Sequence, residues 1–206
     1  MFINFSNWQP DADPVAPNLL TDPSKNIVPT ERGYKGANSF LQVIGQTSLS
    51  QTAVGMWYAR RTDGQNTLYG GGPTAMYVRS GGAWTSIATA TISAVSRWQF
   101  AQWGNLTFAG ALETQPMVTD TTTFTAIAAM PRYAVIDSIN EFLMIGNVST
   151  SVTYTDGFGA VMVNPGDYQD RWWCSAIGNP LSWQPDAATQ AASGRLTDIA
   201  GKLTAG

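Results

Sequence analysis

The 206-residue chain contains no histidine and a single cysteine, and only 12% of its residues are charged. Without histidine, Ser-His-Asp and Cys-His nucleophile systems are excluded, as are imidazole zinc sites. With Cys174 alone, no internal disulfide forms. Its neighbours Trp173 and Ser175 point to a buried strand thiol rather than a reactive one. The glutamates are Glu31, Glu113 and Glu141 only. The aspartates mostly sit beside Gly, Pro, Thr or Ser, which is turn chemistry more than the paired carboxylates of a glycosidase. Gly70-Gly71-Gly72-Pro73 is followed by no Lys-Ser or Lys-Thr and makes no phosphate cradle. Asp11-Ala12-Asp13 offers two carboxylates, too few for a calcium site. The expectation is a protein that is not an enzyme and carries no cofactor or metal.

Positive charge is also scarce. Eleven Lys and Arg face fourteen Asp and Glu, a net charge of −3. A general nucleic-acid binder needs a basic surface to displace counterions from phosphates; a surface that DNA only slides past does not. The densest positive cluster is Arg60-Arg61 with Arg79, read either as an exposed strand edge or as a contact to DNA or to an acidic neighbour. No apolar run approaches the ~20 residues that span a bilayer, so no membrane partner is expected. MFINFSNWQP shows no basic region followed by an apolar core, and no signal peptide is expected. Helical periodicity of useful length is missing too.

What the chain does have is aromatic residues, turn residues and a repeat. In RWQFAQWGNLTFAGALETQPMVTDTTTFTAIAAMP (97–131), Trp98 and Phe100 alternate with polar neighbours, as in a half-buried strand. Gly104-Asn105 is a two-residue hairpin turn, because glycine tolerates the positive φ such turns demand. Leu106, Phe108 and Gly110 form the return strand, and short runs at 115–120 and 124–128 complete four strands. The unit recurs forty residues upstream: Gly70 and Trp84 stand fourteen apart, as do Gly110 and Phe124. Four short strands in a period of about 40 residues is the blade of a β-propeller. A meandering β-sandwich also has short strands and frequent turns, but the matched landmarks favour an all-β, β-propeller-like fold. Blades are predicted at 53–90, 95–131 and 132–190, within a partial propeller spanning 51–206. The third blade takes 171–176 and 181–184 as its last two strands, and Gly194 opens the start of a fourth. Because propellers close with 4–8 blades, three and a fragment suggest part of a longer chain.

Residues 1–50 read as an extended, Pro-rich N-terminal arm. Prolines 10, 14, 17, 23 and 29 forbid a long helix, and 39–44 is a candidate strand. Phe2, Phe5 and Trp8 are apolar enough to dock on the arm's own propeller or on a neighbouring subunit, the alternative being a frayed terminus. The third blade carries an insertion at 147–170 that includes Val161 and Met162, either a functional loop or a decorative one. Trp172 and Trp173 point to opposite faces of a strand, so Trp172 is a candidate for an inter-blade or subunit contact.

Four segments carry a family resemblance: NIVPTERGYKGANSF (26–40), RWQFAQWGNLTFAG (97–110), RYAVIDSINEFLMIGN (132–147) and DRWWCSAIGNPLSWQPDAATQ (170–190). Together they resemble the tail hub or nozzle proteins of short-tailed phages, among them the packaged-DNA stabilization proteins. The resemblance covers most of 26–190 and contains no catalytic motif. It implies a structural virion protein that assembles as a homo-hexameric ring below the portal and adaptor and contacts other tail proteins. The ring continues the DNA channel, lets genomic DNA pass without tight binding and helps retain it. The competing class is a carbohydrate-binding or host-receptor-binding propeller module, supported by fold analogy and aromatic residues.

Overall fold

A computed structural model of the chain describes residues 27–30, 33–36, 47–120, 123–150, 153–155, 161–163 and 166–196. Two compact units are present, Met1–Ile44 and Gly45–Gly206. In the first, β1 (Ile27–Thr30) and β2 (Gly33–Gly36) pair antiparallel, with Pro29 opposite Tyr34. Part of the predicted open arm is therefore a hairpin. The fixed φ of proline lies in the extended range, so the residue that argued for an arm also fits a strand. Phe2, Phe5, Trp8 and the candidate strand 39–44 fall outside the described residues.

The second unit holds three four-stranded antiparallel sheets, each a meander of strands in chain order. Sheet one is β3 (Gly55–Arg60), β4 (Asn66–Gly71), β5 (Met76–Ser80) and β6 (Ala83–Ser86). Sheet two is β7 (Gln99–Trp103), β8 (Leu106–Gly110), β9 (Met117–Thr119) and β10 (Thr125–Ala126). Sheet three begins with β11 (Arg132–Ile139) and β12 (Phe142–Thr150). A separate hairpin of β13 (Thr153–Thr155) and β14 (Val161–Val163) follows inside the predicted insertion. The sheet then finishes with β15 (Gly166–Cys174) and β16 (Ala192–Arg195). No helix occurs among the described residues.

Local chemistry sets the turns. Gly104 has φ 55° in the two-residue turn between β7 and β8, as its sequence predicts. The matching turn of sheet three places Asn140 at φ 52°, a conformation asparagine tolerates better than most side chains.

Sheet three departs from the predicted strand order. Residues 181–184 are not a strand: Pro180 and Pro185 bracket them and remove two backbone donors. Trp183 is instead buried as a plug, its indole Nε1 donating to Pro180 O at 2.9 Å. The neighbouring Trp173 Nε1 donates to Trp183 O at 2.8 Å. The fourth strand is β16, so Gly194 belongs to this sheet and does not begin another. Gly194 pairs with Trp172, and a Cβ on it would lie 2.8 Å from the Trp172 indole.

The core is two apolar layers separated by sheet two. Tyr69, Met76, Trp98, Ala109, Met117 and Phe124 fill the layer shared with sheet one. Ala101, Phe108, Tyr133, Leu143, Ile145 and Trp173 fill the layer shared with sheet three. Alternation along each strand makes this possible: Ala109 enters one layer and Phe108 the other. The three sheets therefore stack in sequence order, and the middle one is buried on both faces.

Candidate interaction surfaces

Each internal junction is built around an aromatic residue seated on glycine. Trp98 lies over Gly55 and Gly71, which face each other across β3 and β4. Its backbone N–H donates to Val54 O at 3.1 Å and its indole Nε1 to Gly72 O at 2.8 Å. Trp57 and Phe100 stack beside it, with ring centroids 6.2 Å apart and planes 11° from parallel. At the second junction the ring of Tyr133 occupies the space over Gly110. Its hydroxyl is buried without a partner, and burial pushes the phenol far above the usual tyrosine range.

Polar groups latch the turn ends of sheets one and two. Gln102 accepts from the Arg60 N–H at 2.9 Å and donates to Arg60 O. Asn105 Oδ1 accepts from the Thr62 N–H at 2.9 Å and from its hydroxyl at 2.6 Å. Arg61 donates to Asp120 O and pairs with Asp63 at 2.9 Å. The Gln65 N–H, and then Arg61, hold the exposed Asp63 carboxyl below the ordinary carboxylate range. The predicted positive cluster is thus divided among three roles. Arg61 is committed to this latch, Arg79 stands 6.0 Å from the Trp84 ring, and Arg60 is exposed.

The outer faces of sheets one and three differ from the faces of sheet two. Met56 and Tyr58 on β3 are each 52% exposed, and Ile139 on β11 is 47% exposed. Among the described residues, no large apolar side chain of sheet two is comparably exposed. Trp172, predicted as a contact residue, is half-buried on the outer face of sheet three, while Trp173 is buried in the core. Ile177 and Leu181 add exposed apolar surface in the loop that follows β15. That loop is tied to the β11–β12 turn by Gly178 N–H donating to Glu141 O at 2.9 Å.

Val161 and Met162 lie on β14, opposite Thr155 and Tyr154. The two predicted contact residues therefore share a small hairpin and are not part of the three stacked sheets. The sequence reading missed Met56, Tyr58 and Ile139. Period-two alternation does group Met56 with Tyr58, but it does not say which face a neighbouring sheet covers.

Cys174 is mostly buried, and burial raises its thiol pKa. The described residues contain no group of three His, Cys, Asp or Glu able to hold a metal. No helix among them is long and apolar enough to cross a membrane. No protein-family model and no curated protein matches the chain.

Proposed function

We infer that the chain is a structural component of a short-tailed phage tail, with its stacked sheets as blades of a β-propeller-like body. Copies of it form a ring that continues the DNA channel below the portal and adaptor and helps hold the packaged genome. The observation that supports this reading is the serial stack: one buried sheet between two sheets whose outer faces keep exposed apolar side chains. Such faces suit a protein that goes on assembling.

Charge supports the second half of the reading. A channel wall has to confine DNA without gripping it, and each phosphate contact by Lys or Arg strengthens binding and steepens its salt dependence. With eleven basic and fourteen acidic residues, a neutral or acidic bore fits this composition. Phe2, Phe5 and Trp8 supply apolar anchors for a neighbouring subunit, at about 25 cal/mol per Å² buried.

Imaging of the native assembly by electron microscopy tests the reading. A six-fold ring on the axis of a phage tail is the expected result. A free monomer, or a particle without rotational symmetry, would contradict it.

A further inference from the structure

We propose that the loop after β15 docks a basic segment of another protein, one that places an apolar anchor between lysines or arginines. The surface is Ile177 and Leu181, with Glu141 and Asp186 at its rim. It belongs to the turn end of sheet three. Ile139 and Asp137, which lie on the outer face of that sheet, form no part of it. The inference goes beyond the ring reading and stands or falls on a single chain.

The first argument is that the loop is fixed while its aliphatic side chains point out. Ala176 N–H donates to Ser182 O at 2.8 Å and closes the loop 176–182. Ile177 and Leu181 sit one step inside that closure, on its two arms. The Ile177 N–H donates to Thr189 O at 2.9 Å, and the Leu181 N–H to Asn179 Oδ1 at 3.1 Å. Ser175 exchanges bonds with Leu143, and the buried Trp183 anchors the far arm. Ile177 is nonetheless 42% exposed and Leu181 46%. Single exposed aliphatics are ordinary. Two on one fixed turn make a preorganised contact, which a partner meets without first having to order the loop.

The second argument is charge, and it identifies the occupant. From Tyr133 to Gly194 the chain holds six acids and one base, Arg171, whose Nε is buried. The exposed Glu141 adjoins the loop, because its backbone O accepts the Gly178 N–H at 2.9 Å. The exposed Asp186 lies in the turn that carries Thr189, and its backbone O accepts the Thr189 hydroxyl. An apolar pair with acids beside it and no base on the loop complements an apolar anchor between positive charges. Nucleic acid has the wrong sign.

The test uses the full 206-residue chain and a short labelled peptide with tryptophan and leucine between two pairs of lysines. Fluorescence anisotropy measures affinity, and amide chemical shifts locate the contact. The peptide should bind, with shifts centred on Ile177 and Leu181, and a counterpart with glutamates for lysines should not. The double variant Ile177→Ser with Leu181→Ser should weaken binding by about tenfold. Glu141→Lys should weaken it by about threefold and flatten its salt dependence. This second variant keeps the apolar pair, so it gives an independent reading if the serines loosen the loop. Circular dichroism checks that the sheets persist in both. Absent binding, shifts centred elsewhere, or equal binding by the double-serine variant would overturn the proposal without touching the ring. Self-association of the wild-type chain that the serines abolish would also overturn it, because the occupant would then be a second copy.

Discussion

Trp98 fills the space that a side chain on Gly71 would need: a Cβ there would lie 2.2 Å from the indole Cδ1. The glycine ends the second strand of one sheet, and the tryptophan stands immediately before the first strand of the next. Sheet one can therefore receive sheet two closely because it offers bare backbone at Gly71 and at its partner Gly55. Gly110 and Tyr133 repeat the arrangement at the next junction.

Replacing Gly71 with alanine should accordingly destabilise the second unit by about 1–3 kcal/mol, the range for overpacked cores. The buried indole is also held by its bond to Gly72 O, so it cannot swing aside without losing that bond. Urea denaturation of the variant against wild type measures the cost. An unchanged midpoint would show that the junction is looser than the geometry implies.

Tyr133 leads to the opposite expectation. Its hydroxyl is buried with no partner, and an unpaired buried hydroxyl costs about 1–3 kcal/mol. Tyr133→Phe should raise stability by about 1 kcal/mol near neutral pH. It should also alter the alkaline limb. Below the ordinary tyrosine value of about 10, both the folded and the unfolded chain keep the proton. Above it the unfolded chain releases a proton that the folded chain retains, because burial raises the Tyr133 pKa. Stability then falls by about 1.4 kcal/mol per pH unit for this group. Denaturation of both proteins between pH 9 and 11 should show that part of the slope missing from the variant.

Gln102 joins the first strands of sheets one and two by caring for both backbone groups of Arg60. Gln102→Ala should cost about 1 kcal/mol and speed hydrogen exchange at the Arg60 amide. If that amide exchanges at the wild-type rate, the latch is not what protects it.

The sheets were legible because their signals are local. Met56, Trp57 and Tyr58, the Gly81-Gly82 turn and the Gly104-Asn105 turn specify strand, reversal and strand within a few residues. The forty-residue offset then carried the first sheet's pattern into the second. Sheet three was read less well because its fourth strand lies beyond a loop held by tertiary contacts. Trp183 looks like a strand residue until its bonds to Pro180 and Trp173 are known. The contact surfaces were harder still. Tyr58 and Tyr69 are both strand tyrosines in one hairpin, yet one is 52% exposed and the other 1%. What separates them is the position of the next sheet, which no short window of sequence encodes.

Duplex DNA should bind the isolated protein weakly. Non-specific binders at physiological salt have dissociation constants of about 1–100 µM. This chain, with its acidic excess, should bind more weakly than about 100 µM. A filter-binding titration across salt concentrations is the check, and tight, salt-sensitive binding would remove the sliding-channel account.

The most direct measurement of the proposed role is genome retention in phage particles that lack this protein. Such particles should package a full-length genome and then lose it, so that their DNA becomes sensitive to added nuclease while wild-type particles stay protected. Adding back the purified chain before release should restore protection. Particles that keep a nuclease-resistant genome without the protein would contradict the retaining role.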